Sequence, residues 1–169
     1  YLTELAIQLG IEDVRRIVPD PVRTTIYDPQ GKLHQVNTDQ CCHLRKTLPL
    51  QRALGEFSGW ITGRKRFQST TRAELPFFEL DKVTQRIKLN PLIHWKPEDI
   101  KDYMQAHELP AHPLVKQGFM SIGCAPCTTR VNADEDARAG RWRGEEKIEC
   151  GIHFDNAAPL SNSSKEKNT

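Results

Sequence analysis

Cysteine is scarce in this chain. There are five among 169 residues, an odd number that cannot all pair. That argues against a secreted disulfide framework and suits a reducing, cytoplasmic setting. Long apolar runs are missing too. None approaches the roughly 20 residues that a membrane helix needs, and no signal peptide is visible. Excess charge of one sign is also absent. Lys and Arg total 24 against 22 for Asp and Glu, a net of +2, so a broad nucleic-acid surface is not expected. Nor does the chain start with methionine. Tyr1 opens directly on a helical pattern, "YLTELAIQLGI", and reads as the start of a piece of a longer protein. Hydrophobic residues make up 37% and charged residues 27%, which fits one globular domain with a real core.

The pattern along the chain alternates strands with helices, predicting an α/β layered domain. A helix over Leu2–Leu9 stops at Gly10. "DVRRIVPD" reads as a short strand ending before Pro19, and "DPQGK" as a tight turn. The leucines from Cys42 to Leu54 predict a helix bent near Pro49. "GWITGRKR" is a strand running into a basic loop, and "FFELD" and "IKLNPLIHW" are further strands. "KPEDIKDYMQAHEL" is the clearest helix. Pro97 suits its first position, Glu98 and Asp99 complement its dipole, and Ile100, Tyr103, Met104 and His107 share a face. The residues after Phe154, "DNAAPLSNSSKEKNT", have almost nothing to bury and read as a disordered tail.

The informative residues are the cysteines. Cys41 and Cys42 are adjacent, and Cys124 and Cys127 form "CAPC". Neighbouring cysteines close only a strained disulfide ring, and a single zinc ion prefers ligands spaced further apart. A cluster has metal atoms at separate corners, so adjacent thiolates can each bind a different iron. Four thiolates are the usual complement of a 4Fe–4S cluster. Structural zinc, or cysteines that are merely buried, remain the alternative readings of the four. Cys150, in "EKIECGIHF", stands apart. Gly151 gives its backbone freedom. The cations Arg138, Arg141, Arg143 and Lys147 nearby in sequence favour a thiolate, and Glu149 opposes it. In "TGRKRFQSTTR", Arg64, Lys65, Arg66 and Arg72 follow a strand. Such a loop suits phosphate or sulfate oxyanions, although a solvated basic face would have the same composition.

Taken together, "CCHLRK", "TGRKRFQSTTRAELP", "CAPCTTR", "RAGRW" and "ECGIHF" resemble the assimilatory adenylylsulfate (APS) and phosphoadenylylsulfate (PAPS) reductases. The likeness runs from Tyr1 to about Phe154, and the paired cysteines place it with the iron–sulfur branch, which typically prefers APS. The resemblance implies a doubly wound, mostly parallel α/β sheet of the adenine-nucleotide hydrolase type. It implies one reductase domain over residues 1–154, without the family's first strand and phosphate-binding loop, and a flexible tail over 155–169. It further implies one 4Fe–4S cluster on Cys41, Cys42, Cys124 and Cys127, and Cys150 as the nucleophile. Lys46, Arg64, Arg66, Arg138, Arg141 and His153 correspond to substrate-binding or tail-docking positions. Lys46 corresponds to a lysine between cluster and substrate. Thioredoxin is the implied reductant and sulfite the implied product. PAPS as substrate, or a non-catalytic iron–sulfur or zinc module, are the alternatives.

Overall fold

The computed structural model describes residues 1–81 and 84–153. Along the chain come α1 (Leu2–Gln8), α2 (Pro21–Tyr27), α3 (Leu33–Val36), α4 (Thr38–Cys42), a π-helical turn (His43–Thr47) and α5 (Leu48–Ala53). The strands β1 (Gly59–Ile61), β2 (Phe78–Asp81) and β3 (Arg86–Leu89) follow, then α6 (Pro97–Ala106). The chain is therefore α/β, as its pattern predicts. The three strands pair in the order β1-β3-β2. Too few residues separate β2 from β3 for a crossover, so these two form a hairpin.

By internal contacts the chain divides into two compact units. Among the described residues, the first comprises 1–15, 61–79 and 87–148, and the second comprises 16–60, 80–81, 84–86 and 149–153. In the first unit Leu75, Ile93 and Trp142 are buried together with the polar Thr62, Arg64, Lys88 and Asn90. In the second, Leu33, Cys42, Leu44 and Thr47 form the buried centre. The expected disordered tail, residues 155–169, lies outside the described residues.

Local chemistry explains most elements. Gly10 adopts φ +63 just past α1, and Gly31 adopts φ +69 in the "DPQGK" turn, whose N–H bonds the Asp28 carbonyl at 3.1 Å. The Asp99 carboxylate accepts the Lys96 N–H at 2.7 Å and caps α6, with Pro97 in its first turn. The expected strand over Asp13–Asp20 is absent, because no neighbouring strand pairs with it; the segment has no regular structure. Asp20 instead caps an unpredicted helix, α2, by accepting the N–H groups of Val22 and Arg23. The bend near Pro49 takes the form of a π turn. Pro49 has no N–H to give the Arg45 carbonyl, and Leu48 bonds back to His43.

Candidate functional site: a thiol centre and a cationic cavity

In the second unit, Asn37 caps α4 by accepting the Gln40 N–H at 3.0 Å. The helix ends on the doublet, with Cys41 half-buried and Cys42 buried. The wider π turn that follows presents two consecutive cations to two different thiols. Arg45 Nη1 lies 3.9 Å from Cys41 Sγ, and Lys46 Nζ donates to Cys150 Sγ at 3.7 Å. Arg45 is held in turn by Asp28, at 2.8 Å. Cys150 is buried, and its N–H bonds the carboxylate of Glu149 at 2.9 Å. The turn Gly151–His153 follows directly. A Cβ on Gly151 would meet Thr47 Oγ1 at 3.4 Å and Cys42 Cβ at 3.9 Å. The His153 ring stacks parallel to Trp60, with centroids 6.1 Å apart. Burial, aided by Arg23, lowers the pKa of His43 next to the doublet. The sequence pointed to Lys46, Cys150 and His153 separately. That Lys46 supplies the ammonium at Cys150 required the fold, since 104 positions separate them. Trp60 was not singled out, and only its place on β1 explains its role.

Cys124 and Cys127 belong to the first unit and the doublet to the second. Cys124 opens a tight turn in which the Cys127 N–H bonds the Cys124 carbonyl at 3.0 Å. Thr128 Oγ1 donates to the same carbonyl at 2.8 Å. None of the five cysteines is in a disulfide. Among the described residues, no group of three or more His, Cys, Asp or Glu side chains is placed to hold a metal ion.

The first unit also holds a cavity of about 390 Å³, whose lining includes Gln68, Ser69 and Thr70, the cations Arg138, Arg141 and Lys147, and the carboxylates Asp136 and Glu145. The buried indole of Trp142 organises the cations. Arg141, Lys147 and Arg138 approach its ring at 4.4, 5.6 and 6.0 Å. Arg138 also donates to the Ile148 carbonyl at 2.9 Å. Ile148 lines the cavity and stands two positions before Cys150 in the chain. Arg143, though at the cavity edge, is a strut. It makes a two-pronged pair with Glu135 at 2.7 and 3.0 Å and bonds the Arg130 carbonyl. These bonds, with the Asn132 N–H, bring the Glu135 carboxyl down to about 2.

The basic loop after β1 is turned largely inward. Arg64 is buried, pairs with Glu79, and bonds Asn90 Oδ1 at 3.1 Å. Lys88 lies 3.8 Å from the other Glu79 oxygen. Arg66 Nε is given to the Leu75 carbonyl at 2.9 Å. Burial, reinforced by Arg72, lowers the pKa of Lys65. Neither Arg64 nor Arg66 lines the cavity described here; the loop contributes Gln68, Ser69 and Thr70 instead. Composition flagged the loop as an anion binder through its arginines. The hydroxyls that line the cavity were visible only as neighbours of those arginines.

The α/β frame carries a cavity lined in part by Arg138, Arg141 and Lys147, and cysteines set in a doublet and a Cys-x-x-Cys turn. The chain belongs to the phosphoadenosine phosphosulfate reductase domain family, whose sequence pattern matches residues 1–130. It is 51% identical over 154 residues to the adenosine 5′-phosphosulfate reductase of Mesorhizobium japonicum, covering 91% of this chain and 60% of that protein. It is 43% identical over 162 residues to the protein of the same name from a Chelativorans species, covering 96% and 65%. The chain thus spans about three fifths of the length of the curated relatives it matches. Among solved structures, the PAPS reductase of Candida auris in a phosphate complex is similar at a TM-score of 0.52 and 29% identity. That likeness covers 66% of this chain and 53% of the other.

Proposed function

We propose that the protein to which this chain belongs reduces adenylylsulfate to sulfite and AMP, with thioredoxin as reductant, in cytoplasmic sulfate assimilation leading to cysteine. The observation that carries this reading is the Lys46 ammonium 3.7 Å from the buried Cys150 sulfur. An adjacent cation favours the thiolate, the nucleophilic form. The Cys150 thiolate attacks the sulfur of the substrate's sulfonyl group. A sulfur–sulfur bond forms, the bond from sulfur to the bridging phosphate oxygen breaks, and AMP leaves with that electron pair. One thiolate of thioredoxin then attacks Cys150 Sγ and releases sulfite. Its second thiol resolves the mixed disulfide, leaving Cys150 reduced and thioredoxin oxidised.

Arg138 and Arg141 are assigned to the substrate's anionic groups, and Arg64 and Arg66 hold the loop that presents Gln68, Ser69 and Thr70. His153, stacked on Trp60, docks the segment that carries Cys150. Residues 1–154 act as the reductase domain. For the cofactor, four cysteine sulfurs in a doublet and a Cys-x-x-Cys turn fit a 4Fe–4S cluster by donor chemistry. Cys41, Cys42, Cys124 and Cys127 would hold it. Bound there, the cluster would supply a fixed field toward the substrate rather than electrons. Among the described residues no helix is long and apolar enough to cross a membrane, and no nucleic-acid or membrane partner is proposed.

The test uses the full-length protein with thioredoxin and measures sulfite release from APS and PAPS side by side. Sulfite from APS is expected. Turnover of PAPS in preference would assign the protein to the PAPS branch, and release from neither would remove the reductase reading. Incubation with APS alone should leave an S-sulfonate on Cys150, read by mass spectrometry, and none in Cys150→Ser.

A further inference from the structure

We propose that Gly123 and Trp142 are positioning residues: together they form a slot that fixes the guanidinium of Arg141 before any ligand arrives. This rests on the reading that Arg141 takes an anionic group of the substrate. One wall of the slot is the Trp142 ring, 3% exposed, with Arg141 Cζ 4.4 Å from its centroid. The other wall is the bare backbone of Gly123. A Cβ there would overlap Nη2 and Cζ of Arg141 and come within 2.8 Å of its Nε. Gly123 does not occupy the left-handed region, so its backbone accepts alanine and only the guanidinium excludes one. Nη1 donates to the Ile122 carbonyl at 3.4 Å.

The slot is welded to the thiol turn. Trp142 N–H bonds the Cys127 carbonyl at 3.2 Å, and Thr129 N–H bonds the Gly140 carbonyl at 2.7 Å. Thr128 and Arg141 form a bridge between these two bonds. A Cβ on Gly140 would overlap the Thr129 carbonyl, so the two segments are as close as backbone allows. Trp142 adopts φ +48, a conformation an aromatic residue rarely takes, and the surrounding packing holds it there. The turn that carries Cys124 and Cys127 therefore sets where Arg141 points. A long side chain ordered in advance loses less freedom on binding its ligand.

Two measurements on the full-length protein test the slot. The first is the rate at which phenylglyoxal modifies Arg141 without ligand, followed by peptide mass spectrometry. Gly123→Ala should raise it about tenfold by expelling the guanidinium. Trp142→Leu, which opens the other wall, should do the same, and Trp142→Phe should retain most of the protection. The second is the affinity for AMP by calorimetry. Gly123→Ala should weaken it about tenfold in the parent and leave it unchanged in an Arg141→Ala background. Parent-like reactivity of Arg141 in both Gly123→Ala and Trp142→Leu would overturn the slot. So would an equal loss of AMP affinity in the Arg141→Ala background. If Arg141→Ala itself left AMP binding intact, the ligand role of Arg141 would fall, while the phenylglyoxal rates would still decide whether the slot exists.

Discussion

Lys46 and Cys150 meet at 3.7 Å although 104 positions separate them in the sequence. The contact gives Lys46 a specific task. Replacing it with Met keeps the aliphatic stem and removes the charge. Loss of one close opposite charge corresponds to about one pKa unit, or tenfold in thiolate population. Carbamidomethylation of Cys150 by iodoacetamide at neutral pH should therefore slow about tenfold in Lys46→Met. An unchanged rate would remove Lys46 from the activation of Cys150. Glu79 poses the opposite case, a carboxylate shared by the buried cations Arg64 and Lys88. Removing one partner of buried ion pairs strands the others. Glu79→Ala should cost on the order of 3 kcal/mol in urea unfolding, and Glu79→Gln, which retains hydrogen bonding to Asn90, should cost less. The arginines of "TGRKRFQSTTR" were legible as a basic cluster, open to an oxyanion-binding or a solvated reading. Their burial was not, because a charge pattern does not record where the compensating carboxylate lies.

At the scale of elements, capping and turn chemistry were the most legible features. Gly10, Gly31 and Pro97 each mark a boundary that the structure keeps. The missing strand over Asp13–Asp20 shows the limit of the same method. A strand needs a neighbour for its N–H and C=O groups, and a short apolar alternation does not supply one. The π turn at His43–Thr47 was legible only as a bend, since Pro49 says that a bond is lost but not which one replaces it. Between the thiol turn and Trp142, the Arg143–Glu135 clamp ties its segment together. Glu135 is held at about 2, below its ordinary 4.5, first by Arg143 and then by the Asn132 N–H. A depressed carboxyl contributes stability that is full above 4.5 and is lost as the pH falls from there through about 2. The Asn132 amide resonance should accordingly titrate with a midpoint of about 2. In Arg143→Met the midpoint should move up toward 4.5. A wild-type midpoint already at 4.5 would show that the clamp is not formed in solution.

For the whole molecule, the cluster makes the sharpest prediction. Iron analysis of the full-length protein should show four iron atoms per chain, since four thiolates suit a 4Fe–4S cluster. Serine at any of Cys41, Cys42, Cys124 or Cys127 should remove iron and the visible colour, whereas Cys150→Ser should retain both. Zinc in place of iron in the parent protein would sink the assignment. Binding of AMP should weaken about tenfold in Arg138→Ala and in Arg141→Ala, the scale of one lost charge-assisted hydrogen bond. Intact binding in both would exclude the cavity as the anion site.

The sequence by itself determined the α/β class, the family and the thiol inventory. Those properties are carried by local patterns: hydrophobic period, turn residues, and the positions of the cysteines along the chain. Only the tertiary structure decided which cation serves which sulfur. It also decided that Arg64 is buried against Glu79 and that Gly123 is bare because a guanidinium occupies the space beside it. Each of these depends on contacts between residues distant in the chain. Burial and pairing belong to the packed chain, and neither residue type nor spacing encodes them locally.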